Sequence, residues 1–335
     1  MNIKLCMKRM AAAALIFSTI NGVATAQEAT GMKRVTFPNK TVTLVGNLFL
    51  PKDFNEVKQY PAIICVHPAG SVKEQTSGLY AQKLSERGFI ALAFDATYNG
   101  ESGGEPRLLE DPFERCEDIR CAADFLTTLP YVDEHKIGAL GLCAGGGYVM
   151  GVTPTERRIN AVASINATDI GAANREGWTR TATIDDQIKR LESIAAQRIK
   201  EARGEKPLIL PIAPEELTDN MDDAMREGYD YYRTPRAAHP RAVSKVRFSC
   251  TDKKMAFSSI AQAQLFTQPA LLIVGSRAES SWNSRMIYDA IPGDNKELFV
   301  IEGASHIDLY DLPQYVNPAV DKLVDFYNRS FNQNK

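Results

Sequence analysis

The stretch that decides the fold is residues 138–146, which read GALGLCAGG. Its apolar residues predict a strand over 136–142, and a helix over 144–153 begins directly after Cys143. A turn this sharp needs small neighbours, because the residue at its apex takes a strained backbone conformation. The pattern Gly-x-Cys-x-Gly therefore predicts a nucleophile at a strand-to-helix turn. The positive end of the helix favours the thiolate form of such a cysteine.

The composition is that of an ordinary globular protein. Of the 335 residues, 24% are charged and 44% are hydrophobic, which suffices for one large α/β domain or two small ones. The formal net charge of −2 gives no electrostatic basis for a nucleic-acid partner. The sequence has no metal-binding motif of the H-E-x-x-H or paired C-x-x-C type and no phosphate-binding loop. We therefore expect neither a metal nor an organic cofactor.

The first 26 residues have the pattern of a secretory signal peptide. Three basic residues precede the apolar run 10–20, and Ala-Thr-Ala at 24–26 fits a cleavage site. The run is too short to span a membrane. We predict cleavage after Ala26 and an exported protein, periplasmic or secreted, with no stable membrane anchor once the peptide is removed.

The five cysteines after this peptide are an odd number, which predicts at least one free thiol in an oxidising compartment. Cys65 lies in an apolar strand and should be buried. Cys116 and Cys121 point about 140° apart on one helix, so a bridge between them would distort it. A bridge from either to Cys250 stays open. Cys143 is the thiol that we expect to remain free.

Buried strands alternate with helices along most of the chain. Two leading strands at 34–37 and 41–50 are followed by strands at 62–67, 89–94, 136–142, 159–165, 270–275 and 297–301. Helices are predicted at 79–87, 112–128, 144–153, 284–290 and 318–332. This alternation predicts an α/β fold with a mostly parallel central sheet and helices on both faces.

Residues 168–263 interrupt the alternation. They hold a charged helix at 184–202, a proline-rich stretch, and a second helical piece at 214–232. We interpret the segment as a helical cap inserted into a single domain that spans 32–333. The alternative is a separate binding domain, but the segment lacks strands for an independent core.

A cysteine nucleophile needs a general base, and the base needs an orienting acid. His306 follows the last predicted strand and is the expected base. The acid should follow the preceding strand, where the loop 275–280 contains Glu279 as its only carboxylate. The sequence therefore predicts the triad Cys143, His306 and Glu279, in the chain order nucleophile, acid, histidine.

An oxyanion hole requires two preorganised N–H donors. One should be the backbone N–H of Ala144, at the start of the elbow helix. The other should come from the turn after the strand 62–67, and we assign it to Ala69 because Pro68 has no N–H.

Three further side chains are candidates for contact with substrate. His67 belongs to the oxyanion turn, Glu74 follows it, and Tyr98 lies in the glycine-rich loop 95–106. For Tyr98, bracing of the loop is the alternative role.

Together these features resemble the dienelactone hydrolase family of α/β hydrolases. The resemblance covers about residues 32–333 and rests on GLCAGG at the elbow, HPAG at 67–70 with Lys-Glu-Gln at 73–75, and Thr-Pro-Arg at 234–236. It implies an α/β-hydrolase fold and hydrolysis of a small-molecule carboxylic ester or lactone through an acyl-cysteine, without a cofactor. Glu279 stands where the family has aspartate.

Two kinds of alternative remain at this point. The same triad would serve an acyltransferase, a thioesterase or a peptidase, and a non-catalytic binding protein could have kept the fold. The sequence does not predict the oligomeric state.

Overall fold

The computed structural model describes residues 31–333; the predicted signal peptide lies outside the described residues. Elements are numbered along the chain. The strands are β1 Met32–Asn39, β2 Val42–Phe49, β3 Tyr60–Val66, β4 Ile90–Asp95, β5 Val132–Leu142, β6 Ile159–Ile165, β7 Ile209–Pro211, β8 Lys245–Arg247, β9 Ala270–Gly275 and β10 Lys296–Ile301. The helices are α1 Thr76–Ser85, α2 Pro112–Thr127, α3 Ala144–Val152, α4 Ile170–Glu176, α5 Ile184–Ala202, α6 Asp223–Arg233, α7 Thr251–Ala256, α8 Ser281–Ala290, α9 Asp308–Asp311 and α10 Pro313–Gln333.

Eight of these strands form one sheet, in the order β1-β2-β4-β3-β5-β6-β9-β10. The pairs β1–β2 and β2–β4 are antiparallel, and every other neighbouring pair is parallel. The mostly parallel sheet predicted from the alternating pattern is thereby confirmed. Strand β5 lies between β3 and β6 in this sheet. Its carboxyl end, which Cys143 follows, therefore lies between the carboxyl ends of those two strands.

The sheet is covered on both faces, and inner strands such as β3, β4 and β9 are almost continuously apolar for that reason. Adjacent residues of β3 belong to different cores: Ile64 packs with α2 and α3, whereas Ile63 packs with α1 and α10. Both side chains are fully buried. Burial of both faces fixes the position of the strand ends, and therefore of the loops that follow them.

The segment between β6 and β9 is mainly helical, as predicted, and contains α4, α5, α6 and α7. It also contains one short antiparallel pair, β7–β8, which the sequence did not predict. The helix α6 begins at Asp223 and not at 214, because Asp222 caps it by accepting a hydrogen bond from the Met225 N–H at 2.8 Å.

The closing helix α10 begins earlier than predicted. Pro313 takes the first position, where a missing N–H costs nothing, and Pro318 is tolerated inside the helix. All five cysteines of the described residues are free thiols, so no bridge joins Cys116 or Cys121 to Cys250. Within residues 31–333, no helix has the length and apolar character needed to cross a membrane.

Candidate active site

Cys143 occupies the turn between β5 and α3 with φ +54° and ψ −121°. Its N–H donates to the carbonyl of Ile165 at 3.0 Å, and its own carbonyl accepts from the N–H groups of Gly146 and Thr168, both at 2.9 Å. A positive φ at a cysteine is uncommon and signals strain. These hydrogen bonds hold the strained conformation and point the side chain away from the sheet.

Two glycines make this turn possible. A Cβ at Gly141 would lie 2.1 Å from the carbonyl oxygen of Gly145. A Cβ at Gly145 would lie 2.3 Å from the carbonyl oxygen of Val66, on β3. Both contacts are with backbone atoms that cannot move aside, which explains the glycines on either side of the nucleophile position.

The thiol of Cys143 is half-buried, and its Sγ lies 3.8 Å from Thr168 Oγ1. Burial raises its pKa, while hydrogen bonds from the Tyr310 hydroxyl, Thr168 and the Ala144 N–H lower it by a smaller amount. The helix N-terminus favours the thiolate as expected, but burial outweighs this effect. The resting side chain is therefore a thiol at neutral pH.

His306 lies in the loop between β10 and α9 and is buried. Its Nδ1 is 2.5 Å from Ser280 Oγ, and its Nε2 is 3.1 Å from the Tyr310 hydroxyl. Burial lowers its pKa from 6.5 to about 4, against a small opposing effect of the Glu227 charge. The imidazole is accordingly neutral at pH 7, and each of its nitrogens has a hydroxyl partner.

The histidine loop is fixed to the sheet by Asn166, at the end of β6. Its Nδ2 donates to the carbonyl of His306 at 3.1 Å, and its Oδ1 accepts from the N–H of Gly275 at 3.0 Å. One side chain thus ties the loop that follows β10 to the end of β9. Such bracing keeps the imidazole at a constant place relative to the elbow.

Tyr310 contacts both reactive groups. Its hydroxyl hydrogen-bonds to His306 Nε2 and also lowers the pKa of Cys143. Its ring packs edge-on against Tyr231 of α6, with centroids 5.1 Å apart. Tyr310, Tyr231 and Tyr232 form an apolar cluster against which Cys143 packs. The segment between β6 and β9 therefore covers the elbow.

Glu279 is not brought into contact with His306. It is exposed on the loop after β9, whereas the adjacent Ser280 is fully buried and takes the position beside Nδ1. Glu279 and His306 both line a cavity of about 260 Å³, together with Glu227. The role of Glu279 as the orienting acid stays a prediction.

The two predicted oxyanion donors remain available. Neither the Ala69 N–H nor the Ala144 N–H donates to a carbonyl or side-chain oxygen within residues 31–333. The Ala144 N–H lies close enough to Cys143 Sγ to lower its pKa. Their part in binding an oxyanion is still a prediction.

His67 is completely buried beneath the oxyanion turn. Its Nδ1 lies 2.7 Å from the carbonyl of Pro68, and its Nε2 accepts from the Ala96 N–H at 3.1 Å. Burial and the nearby charge of Arg115 hold its pKa well below 6.5. The neutral imidazole supports the turn and is shielded from any substrate.

Glu74 belongs to a group of ion pairs below the same turn. The buried Lys73 ammonium lies 2.9 Å from Asp95, 2.8 Å from Glu74 and 2.6 Å from Glu101. Glu74 also pairs with Arg241 of the covering segment at 2.7 Å. Its carboxylate is therefore held by two cations, and the structure does not bring it to the thiol.

Tyr98 lies in the loop after β4 with φ +73°. Its ring packs on Gly104, where an added Cβ would come within 2.7 Å of the tyrosine Cδ1. This contact braces the loop, and the described structure gives Tyr98 no contact with Cys143 or His306.

Sequence reasoning missed Ser280, Tyr310, Thr168 and Asn166. Tyr310 follows His306 by four residues, the spacing of one helical turn, and that was a usable signal. Ser280 is next to the predicted acid. Nothing in the sequence marks Thr168 or Asn166. Among residues 31–333, no cluster of three or more His, Cys, Asp or Glu residues is placed to hold a metal ion.

The sequence model of the Dienelactone hydrolase family matches residues 45–168, which include the elbow and the oxyanion turn. The uncharacterized protein YcjY of Escherichia coli K12 is 39% identical over 293 residues, which cover 87% of this chain and 96% of that protein. The chain belongs to the dienelactone hydrolase-like family of α/β hydrolases.

The fold of this α/β hydrolase agrees with a solved relative. The crystal structure of the hypothetical protein PA2218 from Pseudomonas aeruginosa superposes with a TM-score of 0.84 at 35% identity, covering 89% of this chain and 93% of that one. A remoter relative, the acyltransferase drtE of Aspergillus calidoustus, is 22% identical over 82% of this chain and 88% of that protein.

Proposed function

We propose that this protein hydrolyses a small-molecule carboxylic ester, lactone or thioester through an acyl intermediate on Cys143. The observation that supports this most strongly is the strained cysteine at the elbow, beside the N–H of Ala144 and the Tyr310 hydroxyl that hydrogen-bonds to His306. A buried structural cysteine would need neither the strain nor the histidine.

The reaction would begin with Cys143 as a thiol. As Sγ forms a bond to the substrate carbonyl carbon, its proton passes to His306 Nε2, either directly or through the Tyr310 hydroxyl. The carbonyl oxygen becomes an oxyanion, which the N–H groups of Ala69 and Ala144 stabilise. His306 then gives the proton to the leaving alcohol or thiol as the tetrahedral intermediate collapses to an acyl-cysteine.

Hydrolysis repeats the sequence with water. His306 Nε2 removes a proton from water as its oxygen attacks the acyl carbon, and the same oxyanion donors act again. The intermediate releases the carboxylic acid, and Sγ recovers the proton from His306. In both halves of the reaction the histidine must be neutral at the start, which agrees with its lowered pKa.

Ser280 is the residue whose side chain lies beside Nδ1 of His306. Ser280 Oγ can accept the Nδ1–H and fix the tautomer in which Nε2 is the base. It carries no charge to stabilise an imidazolium. We propose that Ser280 orients His306 in the resting site. The negative charge of Glu279, which lines the same cavity, would stabilise the imidazolium that forms during the reaction.

Acyl transfer is the second candidate function. An acyl-cysteine covered by tyrosines of α6 is partly screened from water, and a second substrate with a hydroxyl or amine could accept the acyl group in its place. The relative drtE is an acyltransferase. Hydrolysis stays the first proposal because the family model that matches this chain is that of a hydrolase.

The test is turnover of p-nitrophenyl acetate by the wild type and by Cys143→Ala, with Cys121→Ala as the matched control. We expect Cys143→Ala to lose turnover and the control to keep it. Mass spectrometry of the quenched wild type should place the acetyl group on Cys143. An adduct on another residue, or full activity of Cys143→Ala, would contradict the proposed mechanism. Addition of alcohols or amines distinguishes transfer from hydrolysis by the product formed.

We also propose that the protein works outside the cytoplasm, after cleavage at Ala26. The covering segment would then shield the thiol in an oxidising compartment, where exposed thiolates are readily oxidised. Amino-terminal sequencing of the exported protein tests the cleavage site, and a first residue other than Gln27 would contradict it.

A further inference from the structure

A cavity of about 400 Å³ lies between the oxyanion turn and the segment that covers it. Its walls are mainly apolar, with Ile212, Val246 and Phe248 among them. Ala69, the predicted oxyanion donor, forms part of one side. The charged residues Glu110 and Lys254 also line it. Mostly apolar walls with a few polar groups are typical of a small-molecule site.

The cavity adjoins the reactive centre. Ile212 packs so closely on the oxyanion turn that a Cβ at Gly70 would lie 2.6 Å from its Cδ1. Ile170, another wall residue, follows Thr168 by two positions, and Thr168 Oγ1 lies 3.8 Å from Cys143 Sγ. An acyl group attached to Sγ, with its oxygen at Ala69, therefore has this cavity beside it.

Lys254 has an unusual environment for a lysine. The residue is 8% exposed, yet within residues 31–333 its ammonium forms no ion pair within 4.0 Å and no hydrogen bond. The neighbouring Lys253, by contrast, pairs with Asp111. Lys254 lines the cavity, and an ammonium that has lost most of its hydration without gaining a counter-ion is costly.

The charged residues around Lys254 do not neutralise the positive charge of its ammonium group. Glu110 acts on it from beyond ion-pair distance, and that carboxylate is already engaged by the Tyr148 hydroxyl at 2.7 Å and by Arg115 at 3.6 Å. Arg190, a further cation at the cavity, adds positive charge. Burial lowers the pKa of Lys254, and the charges of Cys250 and Glu110 oppose this shift only in part. The cavity wall therefore carries two cations, Lys254 and Arg190, and one carboxylate, Glu110, that is already engaged elsewhere.

We propose that this cavity binds an acyl chain that ends in a carboxylate, with Lys254 as the counter-ion. The substrate class is then a monoester or monothioester of a dicarboxylic acid. This inference rests on the proposed function, because it assigns the acyl side of the same reaction. A single negative charge fits better than a phosphate dianion, because Glu110 lies in the same wall and would repel the second charge.

The test compares two p-nitrophenyl esters of equal chain length, hydrogen suberate and octanoate, on the wild-type enzyme. We expect kcat/KM to be at least about tenfold higher for the carboxylate-ended ester, mainly through KM, because a buried charge pair is a strong contact. Lys254→Met should abolish this preference, and Lys254→Arg should restore part of it. The matched control Lys253→Met removes the adjacent ammonium and should keep the preference.

A second measurement does not depend on turnover. Free suberate should raise the melting temperature of the wild type more than octanoate does, and Lys254→Met should lose the difference while still unfolding cooperatively. Equal kcat/KM for the two esters, with an acyl adduct on Cys143, would overturn this inference and leave the proposed function intact. Absence of turnover and of any adduct with either ester would instead count against the proposed function.

Discussion

Ser280 Oγ lies 2.5 Å from Nδ1 of His306, in the position that an orienting carboxylate holds in Cys-His-acid sites. Glu279, one residue earlier, is exposed and makes no contact with this imidazole, although both residues line the same cavity. A hydroxyl can fix the tautomer of the imidazole, but it cannot neutralise the positive charge that forms when the histidine takes a proton. Burial lowers the pKa of His306 to about 4, and the charge of Glu227 opposes this shift only in part.

Substitutions of Ser280 and Glu279 distinguish the orientation of the His306 imidazole from the stabilisation of its positive charge. We expect Ser280→Ala to lower kcat on p-nitrophenyl acetate by about tenfold, because Nδ1 loses its partner and the tautomer is no longer fixed. Glu279→Gln should lower kcat less, with KM unchanged, because only a distant charge is removed. A larger loss in Glu279→Gln than in Ser280→Ala would identify the glutamate as the direct partner.

Tyr310→Phe tests the hydroxyl that joins the nucleophile and the base. We expect kcat to fall by about tenfold to a hundredfold, because a proton donor at the reacting atoms is lost. Loss of the same hydrogen bond to Sγ should raise the pKa of Cys143 further, so the pH dependence of alkylation by iodoacetamide should move to higher pH. The matched control is Tyr315→Phe, on α10, whose alkylation profile should equal that of the wild type. An unchanged profile in Tyr310→Phe would contradict a contact with the thiol.

The lowered pKa of His306 predicts that activity persists to an unusually low pH in the pH–rate profile. The base is active when neutral, so kcat/KM should stay constant as the pH falls from 7 to about 5 and should decline only near pH 4. A decline centred on pH 6.5 would show that the histidine titrates normally.

The same shift has a consequence for stability. Between pH 6.5 and about 4 the unfolded chain binds a proton at this histidine and the folded chain does not, so the free energy of unfolding should fall as the pH falls through that range. Urea titrations of the wild type and His306→Gln measure this, and the variant should show the shallower dependence. Equal slopes would contradict the lowered pKa.

Lys73→Met is expected to destabilise the fold strongly. It leaves Asp95 buried without its counter-ion, and loss of one member of a buried pair costs about 3–5 kcal/mol. The control is Lys83→Met, a partly exposed residue of α1 whose hydrogen bond to Asn317 is exposed, where a change of about 0.5 kcal/mol or less is expected. Similar midpoints of chemical unfolding for both variants would show that the buried group adds little.

The sequence was sufficient for the parts that depend on local pattern. Strands β6 and β9 and helix α5 have the predicted limits, since apolar runs and a clear N-cap define them. The limits of α6 and α10 were less accurate, because an aspartate cap and an extra proline decide where each helix begins.

The site was predictable only in part. The positions of Cys143 and His306 after strands follow from chain order, and the structure brings Tyr310 into contact with both residues. Ser280, Tyr310 and Lys254 gain their significance from neighbours far away in sequence and from burial. Side-chain direction on a loop separates Glu279 from Ser280, and no periodicity contains that information.

The ion pair between Glu74 and Arg241 joins the covering segment to the region of the oxyanion turn. Glu74 is linked through Lys73 to the strand that carries Asp95, and Arg241 belongs to the chain that closes over the elbow. Any movement of the residues near Arg241 away from the oxyanion turn must break this ion pair, whose arginine side chain is partly exposed to solvent. Dissolved salt weakens such a pair, so we expect the chain near Arg241 to be held less firmly to the oxyanion turn as the ionic strength rises.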